Sequence, residues 1–294
     1  MKKIMVTGAT GPLGSAVVDS LLKKISAADI AVLVRTPDKA GNLKAKGVEL
    51  RTGDYGNYAS LVSAFADIDK LYFVSGNDIP GRMSQHENVV RAAREAGVRH
   101  IIYTSIPHEH DTRRSPIYFV VSSHAQTEKL LEDSGLTYTI LQHSIYTDMI
   151  PVFAGEQLLQ TKTIYLPAGD GRVAYAVRTD LAEAGANVLL DKTGKYDNKV
   201  IPLTGVEAVS FEDAAKSIST ATGLNIGYYS PSVEEFKTTL TGAGVPSEIV
   251  DVVAGFASSF KTGELDFVSG DLEEILGRKP VRAARFLTDF YQGK

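Results

Sequence analysis

Val6-Thr7-Gly8-Ala9-Thr10-Gly11-Pro12-Leu13-Gly14 is the stretch that decides how this chain reads. It follows a β-rich run, Lys3–Thr7, without a break and leads directly into a helical pattern, Gly14–Lys24. A glycine pattern becomes informative in that strand, turn and helix setting. Gly8 permits the tight turn, Gly11 removes a Cβ so that a diphosphate can approach the backbone, and Gly14 allows close packing of helix on strand. The helix N-terminus behind the turn supplies free N–H groups and partial positive charge. A dinucleotide-binding turn is therefore expected, with Thr10, Pro12 and Leu13 counted among its cofactor-contacting residues. The spacing Gly-x-x-Gly-x-x-Gly departs from the commoner Gly-x-Gly-x-x-Gly but relies on the same physics.

The residue after the second β-rich run selects the dinucleotide. Ile30–Val34 is followed by Arg35, about 20 residues past the glycine turn, where an acid would bind a ribose 2′-hydroxyl and an arginine suits a 2′-phosphate. A guanidinium fork matches phosphate oxygens two at a time, and Lys39 adds a second cation. NADP(H) is the expected cofactor. Asp54 and Tyr55, after the third strand, are expected beside the adenine, although Gly53-Asp54-Tyr55-Gly56 also reads as turn chemistry. Phe73, Val74, Ser75 and Gly76, at the end of the fourth strand, are expected beneath the middle of the cofactor.

Further strand candidates are Val48–Arg51, Lys70–Val74, His100–Tyr103 and Tyr138–Leu141. Leu71-Tyr72-Phe73-Val74 is apolar at every position, as a strand buried on both faces should be. Helical patterns fill the gaps at Tyr58–Ala66, Arg82–Ala96 and Ser122–Ser134. Strands alternating with helices predict an α/β protein with a Rossmann-type, doubly wound parallel sheet. Beyond residue 148 the rhythm changes. Short strands (Thr163–Leu166, Val173–Val177, Lys199–Leu203) mix with helices at Thr179–Leu190, Ser210–Thr222, Val233–Leu240, Ser247–Phe260, Asp271–Leu276 and Val281–Tyr291. The expected division is a nucleotide-binding unit over 1–148 and a smaller, mostly helical, substrate-side unit over 149–294, with the strand near 199–203 returning to the main sheet.

Composition narrows the partners. Of 294 residues, 44% are hydrophobic and 22% charged, an ordinary globular balance. Lys and Arg number 31 against 35 Asp and Glu, so the charge of −4 offers no footprint for a phosphate backbone, and direct nucleic-acid binding is not expected. There is no cysteine, which removes disulfides, thiolate nucleophiles and Cys-ligated metal and fits a reducing cytoplasm. No run approaches the ~20 apolar residues of a membrane span, and the N-terminus reads as a cytosolic one without a leader. A homodimer is the default oligomeric expectation.

Taken together, Thr7 to Gly14, Leu33-Val34-Arg35, Gly53-Asp54-Tyr55, the Gln85-His86-Glu87-Asn88-Val89-Val90 helix leading to Tyr103-Thr104-Ser105, and Asp271 to Arg278 resemble the NmrA-like atypical short-chain dehydrogenases. Within that family the resemblance points to the NADPH-dependent quinone oxidoreductase and triphenylmethane reductase group. The wider superfamily resemblance implies a Tyr-x-x-x-Lys pair on the helix after the fifth strand. Aligning Glu128-Lys129-Leu130-Leu131 on that pattern puts Val120 at the tyrosine position and His124 at the lysine position. Ketone reduction leans on a general acid, whereas a quinone gives a delocalised phenolate and a cationic dye needs only hydride. The expected reaction is thus hydride transfer from NADPH to a quinone or similar electron-poor aromatic. The alternative is an NAD(P)-sensing regulator that binds a protein partner and performs no redox chemistry.

Candidate catalytic residues are His124, which titrates near neutrality, Tyr146, Ser105 and Tyr118, with His143 in the same region. Tyr118 is placed before the helix, Tyr146 after the sixth strand. His108-Glu109-His110 and Arg113-Arg114 read as a solvated loop, and no metal is expected.

Overall fold

The computed structural model describes residues 3–293. Its first half alternates as the sequence implies: β1 (Lys3–Val6), α1 (Pro12–Leu22), β2 (Ile30–Val34), α2 (Gly41–Ala45), β3 (Glu49–Thr52), α3 (Tyr58–Phe65), β4 (Ile68–Phe73), α4 (Arg82–Glu95), β5 (His100–Ser105), α5 (Tyr118–Glu132) and β6 (Thr137–His143). The second half contains α6 (Met149–Ala154), α7 (Leu158–Thr161), β7 (Thr163–Tyr165), β8 (Arg172–Val173), α8 (Arg178–Leu190), β9 (Lys199–Leu203), β10 (Val209–Ser210), α9 (Phe211–Thr222), β11 (Gly227–Tyr229), α10 (Val233–Gly242), α11 (Ser247–Lys261), α12 (Asp271–Leu276) and α13 (Ala283–Tyr291).

Seven strands form one parallel sheet in the order β3-β2-β1-β4-β5-β6-β9. The order reverses between β1 and β4, so the fold is a Rossmann-type, doubly wound α/β sheet with its switch point at the end of β1. β9 joins the sheet beside β6, pairing Leu141 with Ile201 and His143 with Leu203.

Helices cover both faces because the central strands are apolar on both. β2 is buried at all five positions. On one face Ile4, Val6, Val32 and Val34 pack against α1 and α8, with Leu272 and Ile275 of α12 completing the layer. On the other, Met5, Leu71, Phe73 and Ile101 pack against α3 and α4. α4 buries Val89, Val90, Ala92 and Ala93 while Glu87, Arg91, Arg94 and Glu95 remain exposed, and Gly97 follows its end at φ +75°. A separate apolar core gathers α6, α9 and α11 with β7 and β8 around Phe153, Phe211 and Phe260. Thus within 149–294 the elements α8, β9 and α12 pack in the sheet's own layers, and the remaining elements surround the second core.

The expected bounds of three elements are corrected. The strand expected over Val173–Val177 is only Arg172–Val173, because the following residues pair with three different partners: Ala174 N–H with Leu265 C=O at 3.2 Å, Gly205 N–H with Ala174 C=O at 3.0 Å, and Ala176 N–H with Ile145 C=O at 3.0 Å. No continuous ladder can form. The helix expected from Ser122 begins at Tyr118, so Tyr118 lies in its first turn rather than before it. α1 also begins early, at Pro12, whose fixed φ suits the first helical position.

The fit of α8 on the sheet is strict. A Cβ added to Gly185 would lie 2.6 Å from the Oη of Tyr72, a ring with no exposed surface. Gly185→Ala is expected to destabilise the chain by ~1–3 kcal/mol through overpacking, read as a lower urea midpoint.

Candidate functional site

At the switch point the C-terminal ends of β1, β2 and β4 open into a cleft of about 540 Å³. Its floor is the glycine turn. Gly8 has φ +59°, and a Cβ there would meet Val74 Cβ at 3.0 Å. A Cβ on Gly14 would lie 2.6 Å from the carbonyl carbon of Gly8 and 2.9 Å from Ala9 Cα, so α1 reaches the turn only because residue 14 lacks a side chain. No side chain caps α1, and its first-turn N–H groups are directed to the cleft end of the helix. This cradle fits a diphosphate. Arg35 lines the same cleft at the end of β2, exposed and without an ion-pair partner among the described residues.

Hydrogen bonds brace the walls. The Thr7 hydroxyl, fully buried, accepts from the Val74 N–H at 3.0 Å and contacts the Tyr55 hydroxyl, which also lies 2.9 Å from the Val74 carbonyl. Burial pushes the Tyr55 phenol well up, against the opposing pull of Arg35, so it stays neutral. Asp54 turns its carboxylate back to the Gly56 N–H at 2.7 Å. The Ser75 N–H donates to Thr104 Oγ1 at 3.0 Å.

The helix α4 grips this wall from outside. Gly76 is held at both ends of its backbone: its N–H donates to His86 Nε2 at 3.0 Å, and its carbonyl accepts from Arg82 Nε at 2.8 Å. Asn88 donates from Nδ2 to the Tyr55 carbonyl at 3.0 Å. Thr127 Oγ1 donates to the Ser123 carbonyl at 2.7 Å and so must accept from His86 Nδ1, 2.8 Å away. His86 therefore carries its proton on Nδ1 and is neutral, consistent with a pKa pushed down to about 3 by burial and by Arg82. Arg82 and His86 escaped the sequence reading. Their signal is position, since they continue the buried Val89, Val90 and Ala93 stripe to the strand-end side of α4.

The residues expected around the cofactor line this cleft (Gly8, Thr10, Gly11, Pro12, Leu13, Gly14, Arg35, Asp54, Tyr55, Val74, Ser75 and Gly76) except two: Lys39 is exposed on a 3₁₀ turn away from the lining, and Phe73 is wholly buried in the core between the sheet and α3 and α4. Of the four candidate catalytic residues, Tyr146 alone lines it. Its ring stacks under the Arg178 guanidinium, 3.8 Å from its centroid, and burial pushes its phenol up to about 12. Arg178, which also lines the cleft, is fixed by Asp148 Oδ2 at 2.8 and 3.0 Å.

The other three candidates lie elsewhere. His124 is buried on the inner stripe of α5 with Nδ1 2.7 Å from the Tyr103 hydroxyl, and burial holds it well below the usual histidine range. Tyr118 is about half exposed. Ser105 is buried and donates to Glu128 Oε1. The loop after β5 is divided. His110 and Arg113 are exposed, but His108 is largely covered, with 12% of its side chain accessible, and pairs with Glu128, so for His108 the solvated reading is corrected. Among the described residues no group of three or more His, Asp or Glu side chains is placed to hold a metal, and no helix is long and apolar enough to cross a membrane.

A second cavity of about 450 Å³ opens at the opposite, N-terminal ends of the strands. Two of its cations are engaged within the protein: Lys70 donates to the Leu189 and Asp191 carbonyls at 2.8 and 2.7 Å, and Arg99 holds Asp69 at 2.9 Å. Ligands of open α/β sheets sit at the carboxyl ends, which favours the first cleft.

A reversed parallel sheet with an uncapped helix N-terminus over a glycine floor defines a Rossmann-type dinucleotide-binding protein. Comparison with known proteins makes this specific: the model of the NmrA-like family matches residues 1–283, and the chain belongs to that family. It is 34% identical to quinone oxidoreductase 2 of Escherichia coli, over 98% of each chain. The structure of NADPH-dependent quinone oxidoreductase from Escherichia coli in complex with NADPH superposes with a TM-score of 0.89 at 32% identity, covering 98% of this chain and 99% of that one. Citrobacter sp. triphenylmethane reductase in complex with NADP(H) matches with a TM-score of 0.89 at 35% identity, covering 98% of this chain and all of the other. NmrA, a negative transcriptional regulator crystallised with NADP, matches with a TM-score of 0.79 at 15% identity over 99% of this chain and 95% of its own, which shows a shared fold.

Four buried imidazoles, those of His86, His100, His124 and His143, make the fold acid-sensitive. His86 and His143 are pushed down to about 3 and His100 to about 4, each chiefly by burial. In the unfolded chain they titrate near 6.5. Below that pH the unfolded state takes up protons that the folded state refuses, so stability is full above ~6.5 and falls as pH drops towards 4, by up to ~1.4 kcal/mol per pH unit for each group. Urea midpoints across this range measure the decline, which is expected to be shallower in His143→Gln.

Proposed function

We propose that this chain is an NADPH-dependent reductase that delivers hydride to a quinone or a similar electron-poor aromatic acceptor. The observation that carries the reading is the cleft itself: a side-chain-free cradle under an uncapped helix N-terminus, with the unpaired Arg35 where a 2′-phosphate falls. The enzymes it resembles across nearly its whole length are oxidoreductases whose solved structures hold NADPH or NADP(H), and one of them acts on triphenylmethane dyes.

In this reading Gly8 to Gly14 hold the diphosphate, Arg35 the 2′-phosphate, and Val74 to Gly76 the middle of the cofactor. The bound nicotinamide supplies the hydride. The chain's own contribution is positioning: α4 fixes the Gly76 backbone through His86 and Arg82, and Tyr146, clamped by Arg178 and Asp148, forms the far wall. Tyr146 keeps its proton at neutral pH and can orient an acceptor by hydrogen bonding. On the alignment that the superfamily resemblance implies, α5 carries Val120 and His124 at the positions of the Tyr and Lys. Its own Tyr118 is exposed, and Lys129 is spent on Asp133, 2.8 Å away on the outer face. A reaction that needs no strong built-in acid suits that helix.

Arg35→Ala is expected to weaken NADPH binding on the order of tenfold or more while leaving NADH binding within about twofold, by calorimetry; equal losses for the two would count against the 2′-phosphate role. Loss of nicotinamide absorbance with a panel of quinones tests turnover, and tight NADPH binding without turnover of any acceptor would favour a sensing regulator instead.

A further inference from the structure

Past the end of β5 lies a charged pair that neither the nucleotide cleft nor the brace on Gly76 uses. Glu128 of α5 is buried, and three donors converge on its carboxylate: the Ser105 hydroxyl, Gln142 Nε2 at 3.1 Å, and His108 Nε2 at 3.3 Å. The other ring nitrogen of His108, Nδ1, lies 2.9 Å from the Glu109 carbonyl, which can only accept. With acceptors at both nitrogens, His108 is the doubly protonated imidazolium. The chain thus keeps an acidic N–H under partial cover, with 12% of the side chain still reaching solvent for reprotonation.

Its position follows from the topology. β5 lies between β4 and β6 in the sheet, and the segments leaving both of those strands, Val74 to Gly76 and Tyr146, line the cleft. Thr104, at the end of β5, holds the cleft residue Ser75 through its hydroxyl. The segment from Ser105 to His108 therefore leaves the sheet between the two walls, on the side away from Arg35.

We propose that the His108–Glu128 pair is the proton source for the reduction of neutral acceptors, an inference that rests on the reductase reading above. A neutral quinone that receives hydride from the reduced nicotinamide dinucleotide gains two electrons and one hydrogen and becomes a phenolate. One further proton is required: the Nε2–H bond of His108 breaks, an O–H bond forms on the reduced acceptor, and the neutral imidazole is reprotonated from water. The 3.3 Å reach to Glu128 is long for a charge-assisted bond, which leaves this N–H open to a competing oxyanion. A cationic triarylmethane dye balances differently, since hydride alone converts the carbocation to the neutral leuco form and no proton is taken up.

That difference gives the test. His108→Gln and Glu128→Gln are assayed with NADPH against 1,4-naphthoquinone and against a cationic triarylmethane dye, with NADPH affinity as the control for folding. The quinone-to-dye rate ratio is expected to fall about tenfold or more in His108→Gln. A ratio equal to that of the parent overturns the proposal while leaving the reductase reading intact. Failure of the parent protein to turn over either acceptor, despite binding NADPH, overturns both.

Two measurements on the unmodified protein stand independently of the variants. Glu128 on α5, with Glu109 and Glu264 nearby, holds His108 above the usual imidazole range, against the opposing pull of burial, while His124 on α5 shares its surroundings. The protonated form therefore persists to higher pH than in a free imidazole, and quinone turnover is expected to decline as pH rises through that raised value while dye turnover does not follow it. Histidine nitrogen NMR of the resting protein should show one imidazole doubly protonated above pH 6.5, a signal lost in His108→Gln; a parent protein with no such imidazole overturns the proposal without reference to activity.

Discussion

The close approach of α1 to its own preceding turn is the constraint on which the rest of this molecule depends. Gly14 sits almost against the Gly8 and Ala9 backbone, closer than any side chain would permit. That contact aims the helix N-terminus over the ends of the strands and brings α1 within reach of α8, which packs along it and across Tyr72. α12 then closes over α8 through Leu272 and Ile275. One missing Cβ thereby positions a layer of helices drawn from both ends of the chain, as well as the partial positive charge that a nucleotide would meet.

The opposite wall is built on different principles. It is held by polar groups, with α4 gripping the two loops that follow β3 and β4 through Asn88, His86 and Arg82. Buried polar networks of this kind fix a unique geometry when every member is satisfied, and here the imidazole of His86 has a partner on each nitrogen. The brace joins a neutral imidazole to the Arg82 guanidinium and fixes the Gly76 backbone at both its polar groups.

How much of this could be read from residues alone follows the kind of signal involved. Strands buried on both faces announce themselves as apolar runs, so β2 coincides with its expected ends and the alternation gives the doubly wound sheet; the edge strand β9, exposed at Lys199 and Val200, also falls where its residues place it. The glycine turn and Arg35 were legible because strand, turn and helix lie next to one another in sequence. Val173–Val177 looked like one strand since its composition is that of a strand, yet its hydrogen bonds go to Ile145, Gly205 and Leu265, separate pieces of chain that no local pattern reveals. His108 and His124 were judged by neighbours in sequence. His108 sits in a polar loop but is drawn under cover by Glu128, far along the chain, while His124 shares a helical stripe with Val121, Glu128 and Leu131 that turns it inward to Tyr103.

The tail of the chain has a part in this as well. Asp180, in the first turn of α8, is almost wholly buried, and its carboxylate is answered by the Arg278 guanidinium at 2.7 Å and the Val281 N–H at 2.6 Å. An anion enclosed in this way is tolerable only while its partners are present. Without the segment after α11 the chain would lack both the arginine and the apolar cover of α12, so the seating of α8 on the nucleotide sheet is tied to residues about a hundred positions further along.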